Sequence, residues 1–185
     1  VFDAKTLEPL EPIRIPARRF GETFTTMSLH VDPGSGTLLT VSLTTNELAI
    51  VELGKQPRVL PLPGAVDASG VAYDAREGLV FVASQATDNL LILRASDGGV
   101  LHDVYTGAGA LSVAFDPVHR LAWVANRDAG TLTAVGTDGQ IVANLRTGGF
   151  PNQMIADGQG KVWAVTKARA EDDADSDKLW RISPR

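Results

Sequence analysis

Gly70-Val71-Ala72-Tyr73-Asp74, Val80-Phe81-Val82-Ala83-Ser84, Leu90-Leu91-Ile92-Leu93, Ser96-Asp97-Gly98-Gly99 and Val100 to Tyr105 follow one another within 36 residues, and their reading decides the fold. The apolar runs are short, rich in Val, Ile, Leu and aromatics, and bounded by Gly, Asp and Ser, which marks them as strands. The Asp97-Gly98 pair tolerates the positive φ angles of a tight hairpin, so the strands it joins are antiparallel neighbours. No stretch of the chain sustains a helical period.

The same unit extends outward in both directions. Its first strand ends at an aspartate, and these anchors are Asp32, Asp74, Asp116 and Asp157, spaced 42, 42 and 41 residues apart. Second strands follow at Leu38 to Ser42, Val80 to Ser84, Ala122 to Asn126 and Trp163 to Lys167; third strands at Leu48 to Val51, Leu90 to Leu93, Leu132 to Val135 and Leu179 to Ile182. A more polar fourth strand is expected at Arg58 to Leu62, Val100 to Tyr105 and Ile141 to Arg146, with a second Asp-Gly turn at Asp138-Gly139. A four-stranded unit near 42 residues long is a propeller blade, and such a unit cannot bury both faces without neighbours. The expected fold is all-β: a β-propeller of four-stranded antiparallel blades, about four of them in this chain.

The Gly and Pro clusters Pro63-Gly64, Gly107-Ala108-Gly109 and Gly148-Gly149-Phe150-Pro151 punctuate the blades. They divide one domain into blades at 17–63, 64–106, 107–147 and 148–185, the last lacking its outer strand. Residues 1–16 read as the end of a preceding blade, with a fourth strand expected around Ile13-Arg14-Ile15-Pro16. Closure of four blades into a ring is one account of this start; a portion of a larger ring is the other. Val1-Phe2 would duplicate the third strand that Leu179 to Ile182 supplies, and the chain lacks an initiator Met, so the second is favoured.

The strands Phe81-Val82-Ala83-Ser84, Trp123-Val124-Ala125-Asn126 and Ala164-Val165-Thr166-Lys167 resemble the Tyr-Val-Thr-Asn strand of the YVTN-repeat β-propeller family. The succession of units, with a polar insertion in the last blade, resembles the C-terminal portion of its YncE-like bacterial members. The resemblance covers essentially the whole chain. It implies a seven-bladed ring exported to the periplasm or cell surface, with the remaining blades of the same propeller as partners. It implies no catalytic signature.

Composition fits a globular domain: 185 residues, 44% hydrophobic, 21% charged, net charge −5. No apolar run approaches the roughly 18 to 20 residues of a spanning helix, so no membrane insertion is expected. Zero cysteines exclude disulfides and thiolate metal sites. The three histidines fall on an inner strand (His30), an outer strand (His102) and a turn (His119), too dispersed for a shared metal. Gly107-Ala108-Gly109 enters a strand, not the helix N-terminus that phosphate capture uses. There is no Gly-x-Ser-x-Gly elbow and no His-Glu-x-x-His pair. Neither cofactor nor metal is expected. The anchor aspartates precede turn residues, as in Asp32-Pro33-Gly34, and read as caps of those turns. The insertion at 167–178 carries Asp172, Asp173, Asp175 and Asp177 but lacks the Gly and Glu of a calcium loop, so it reads as a solvated acidic loop with calcium as a subsidiary hypothesis.

Blade geometry sorts the loops onto two faces. Turns after the anchor aspartates and the Asp-Gly turns share one face; loops from second to third strands, and from each blade to the next, share the other. The second face gathers Arg18, Arg19, Phe20, Arg127, Phe150, Asn152, Lys167 and Arg169, with Phe24, Asp67 and Gln153 nearby. Loops on a rigid scaffold are where binding residues concentrate. The expected function is therefore a non-enzymatic binding or scaffold propeller, with no catalytic residues, that recognises a protein, peptide or other extended ligand through forked Arg hydrogen bonds and Phe anchors. The alternatives are single-stranded nucleic-acid binding along the same basic and aromatic groups, opposed by the net charge, and a lactonase-like hydrolase, which rests on fold analogy.

Overall fold

In the computed structural model, which describes residues 3–168, 170 and 177–183, fifteen strands form four antiparallel sheets. The first sheet holds β1 (Thr26–Val31), β2 (Leu38–Ser42), β3 (Glu47–Val51) and β4 (Arg58–Pro61). The second holds β5 (Ala68–Asp74), β6 (Leu79–Ser84), β7 (Asn89–Arg94) and β8 (Val100–Tyr105). The third holds β9 (Ala110–Asp116), β10 (Leu121–Asn126), β11 (Thr131–Gly136) and β12 (Ile141–Arg146). The last holds β13 (Phe150–Ala156), β14 (Val162–Lys167) and β15 (Leu179–Ile182). Within each sheet the strands lie in chain order, each paired with the next. Four such meanders side by side are a four-blade portion of a β-propeller.

Each first strand lies at an edge of its sheet, and β1, β5, β9 and β13 contact one another in sequence around the inner side. Their approach is close. A Cβ added to Gly70 would stand 2.9 Å from the Val113 nitrogen and 3.0 Å from the Leu111 oxygen, so the backbone of β5 meets that of β9 only because position 70 has no side chain. Hydroxyls tie neighbouring blades at the same level: Ser69 Oγ donates to the Ala110 carbonyl at 3.3 Å, and the Met154 N–H donates to Ser112 Oγ at 3.2 Å.

The core lies between blades. Val80, Val82 and Leu91 pack with Leu39, Val41 and Leu48 of the first sheet; Phe81, Ala83 and Leu90 pack with Val113, Phe115 and Val124 of the third. Successive side chains thus face opposite neighbours, and both faces are buried, which is why β6 is apolar at nearly every position and not alternating. The Phe81 and Phe115 rings stack with centroids 4.8 Å apart, adding about 0.5–1.5 kcal/mol to the area they bury. In the last sheet Met154, Ala164 and Trp180 pack toward the third, while the alternate positions Ile155, Val165 and Leu179 are exposed.

The turns follow the sequence. Gly98 and Gly139 of the Asp-Gly pairs take φ of 75° and 80°, the left-handed region. One expectation fails: residues 10–17 carry no strand. Pro12 and Pro16 remove two ladder donors, and no described strand lies alongside to pair with the segment. The segment instead reaches the first sheet at Arg18, whose N–H donates to Glu47 Oε1 at 3.1 Å.

Candidate functional site

The inner strands wall a groove of about 1140 Å³ that follows the axis of the propeller portion. Its walls are apolar, from Met27, Leu29, Val71, Leu111, Val113 and Ile155 among others, and its two ends are polar. Clefts with apolar walls and a few placed polar groups are the usual form of ligand sites.

At one end lie the turns that follow the anchor aspartates. Asp32 accepts from the Ser35 N–H at 2.9 Å and the Ser35 hydroxyl at 2.6 Å, and the hydroxyl contact chiefly holds its carboxyl below the usual range. Asp157 accepts from the N–H groups of Gln159 at 2.7 Å and Lys161 at 3.0 Å, and the Lys161 bond chiefly lowers it. Asp74 accepts from the Arg76 N–H at 3.1 Å and forms an ion pair with Arg120 at 2.6 Å; Arg120 also meets Glu77 at 2.8 Å. Asp74 lies on the second sheet and Arg120 on the third, so this pair joins blades, and it raises the guanidinium above its ordinary range. Arg120 lies over the Phe115 ring, 5.1 Å from its centroid. Asp116 accepts from the Val118 N–H at 2.9 Å and approaches His119 Nδ1 at 2.7 Å. His119 in turn backs onto the last sheet, since a Cβ on Gly160 would stand 2.8 Å from its Cε1. His30 also lines this end; burial pushes its imidazole toward the neutral form, and nearby Asp32 opposes that shift.

The other end opens among the loops. In the first three blades the loop between second and third strands is bonded to the loop that enters the same blade: Leu43 N–H to the Thr25 carbonyl at 3.0 Å, Gln85 to Asp67 at 3.0 Å, Arg127 to Gly109 at 2.8 Å. These bonds put both loop sets on one face. They also put Gln85 and Arg127, 42 residues apart, at equivalent positions on the groove lip. Arg127 Nη1 donates to Asn152 Oδ1 at 2.6 Å, and its guanidinium lies over the Phe150 ring, 5.3 Å from the centroid. The Arg fixes the Asn: a guanidinium has no acceptor, so the amide turns its oxygen inward and both N–H bonds away. Lys167, at the end of β14, is the Cα register partner of Phe150 and is exposed.

Of the residues singled out in the sequence, the structure brings together Arg127, Phe150 and Asn152, with Lys167 beside Phe150. It places Arg18, Arg19 and Phe20 elsewhere on the same face. There Arg18 contacts Glu47, Arg19 pairs with Glu22 at 3.7 Å, Phe20 is fully exposed, and none of the three lines the groove. Arg169 and most of the acidic insertion lie outside the described residues. Among the described residues, no three His, Asp or Glu side chains gather as metal ligands, and no helix is long and apolar enough to cross a membrane. Gln85 was missed as a lip residue, although its 42-residue offset from Arg127 was a sufficient signal.

No protein-family model and no curated protein sequence matches the chain. Solved structures do match it. Hydrazine synthase from Kuenenia stuttgartiensis superposes on 90% of this chain and 49% of its own with TM-score 0.74 and 12% identity. Virginiamycin B lyase from Staphylococcus aureus, in a catalytically inactive form with quinupristin, superposes on 90% and 58% with TM-score 0.65 and 9% identity. A streptogramin B lyase structure superposes on 85% and 54% with TM-score 0.65 and 13% identity. The chain is a β-propeller portion. It spans about half the length of these structures, and at such identities the likeness concerns the fold alone.

Proposed function

We propose that the chain is a binding propeller whose loop face, at the mouth of the axial groove, recognises an extended ligand such as a peptide or protein segment. One observation carries this reading: Arg127 lies on the groove lip over Phe150, steadied by Asn152, and among the described residues no carboxylate pairs with it. A pre-positioned guanidinium on an aromatic ring, above an apolar groove, is the composition of a recognition anchor. The carboxylates at the opposite end support a non-catalytic role, because they are engaged by their own turns or by Arg120. The proposal takes the chain as part of an exported YVTN-type ring, as its Phe81 to Ser84 and Trp123 to Asn126 strands suggest.

Selection of a random peptide library on the immobilised chain tests the reading. Enriched peptides are expected to lose binding to Arg127→Ala and to retain it on Arg19→Ala. No enrichment over the bare support, or enrichment indifferent to Arg127→Ala, would overturn it.

A further inference from the structure

At Arg127 and Asn152 the lip presents donors. Asn152 Oδ1 faces Arg127 Nη1, so the amide shows its two N–H bonds outward, and the Nε and Nη2 edge of the guanidinium has no hydrogen-bond partner among the described residues. Lys167 adds an exposed ammonium next to Phe150 in the β13–β14 register. Below the lip the groove wall turns apolar within one strand, at Leu111 and Ile155. Donors gathered at Arg127, Asn152 and Lys167 above an apolar channel fit an anionic head on an apolar body.

The shape of the edge selects the head group. One guanidinium and one ammonium carry two positive charges, and a chain with net charge −5 disfavours a dianion on them. The planar carboxylate accepts two parallel N–H bonds from a guanidinium edge. The geometry points to a carboxylate-terminated ligand: its carboxylate on Arg127, Asn152 and Lys167, its apolar portion running down the groove. The inference rests on the binding reading above and narrows it. Both a peptide C-terminus and a free aliphatic acid present this chemistry.

Fluorescence anisotropy separates the cases, using a labelled apolar pentapeptide of alanine and leucine with a free C-terminal carboxylate, the same peptide as its C-terminal amide, and unlabelled octanoate as competitor. The acid is expected to bind at least tenfold more tightly than the amide. Arg127→Gln and Asn152→Asp, the second placing a competing carboxylate in the rim, are both expected to remove that difference while each protein stays folded, with at most a small shift in the thermal midpoint. Displacement of the acid by octanoate identifies an aliphatic carboxylate as sufficient; resistance to it identifies a peptide C-terminus. Equal binding of acid and amide, both weakened by Arg127→Gln, would overturn the carboxylate assignment and leave the binding groove standing. Binding of neither peptide, or tighter binding of phenyl phosphate than of the acid, would overturn the assignment; the library selection then decides the broader reading on its own.

Discussion

At one end of the axial groove carboxylates are held by N–H groups of their own turns and by a cross-blade arginine, whereas at the other a guanidinium and an amide keep most of their donors open. Asp32, Asp74 and Asp157 line the first end, and each closes a turn. Arg127 and Asn152 form the second, bonded to each other and, among the described residues, to no carboxylate. Polar groups satisfied within the fold stabilise it, and polar groups held in place but unsatisfied remain available to a ligand. The repeat supplies the first kind because every blade needs its turn. The second kind arises at positions where the repeat leaves the residue type free.

The largest expected effect lies at the satisfied end. Arg120→Met keeps the apolar stem over Phe115 but leaves Asp74, which is 4% exposed, buried without its partner. Breaking such a pair costs about 3 kcal/mol, at the low end of the range because Arg120 is partly exposed. Urea unfolding should show that loss. An unchanged midpoint would break the distinction, since the carboxylate end would then contribute nothing to blade docking.

Asp116→Ala comes next. The residue is fully buried, and its removal orphans the Val118 N–H and the His119 ring nitrogen at 2.9 and 2.7 Å. A destabilisation of about 2 kcal/mol is expected. Binding at the mouth should survive in the folded fraction at full affinity; parallel loss of both would show that the two ends are coupled.

At the open end the order of effects reverses. Arg127→Ala removes a half-buried cation–π contact and one hydrogen bond, so it should lower stability by only about 1 kcal/mol while abolishing ligand capture. A loss of several kcal/mol by calorimetry would reassign Arg127 to the structural class.

The difference between the ends also sets what could be read in the chain beforehand. Turn aspartates and Asp-Gly pairs announce themselves because local backbone chemistry selects them, and four copies spaced 42, 42 and 41 residues apart set the blade count of this chain. Arg127, Phe150 and Asn152 could be assigned to one face because strand alternation fixes where loops emerge. Their mutual contact could not, because it joins the third blade to the fourth. The Arg120 to Asp74 pair and the close passage of Gly70 by Val113 were illegible for the same reason: both depend on distances between blades, which no spacing within a blade encodes. The strand expected at Ile13 to Pro16 was placed as the outer strand of a preceding blade, and it is not formed because no described strand lies alongside to complete its ladder, with Pro12 and Pro16 removing two donors.

The smallest effect probes whether the carboxylate end is fully neutral toward pH. His30 sits there, with its imidazole pushed below its ordinary value of 6.5 by burial and drawn back in part by Asp32. Below that value the unfolded chain takes up the proton more readily than the folded one, so stability falls as pH drops through 6.5 and levels off once the folded imidazole is also protonated. His30→Gln removes this contribution. Denaturation of the two proteins should therefore show a difference that is constant above pH 7 and shifts in favour of the variant as pH is lowered toward 5. A shift in favour of the wild type would mean that Asp32 outweighs burial, and that His30 and Asp32 act as an ion pair at the groove end.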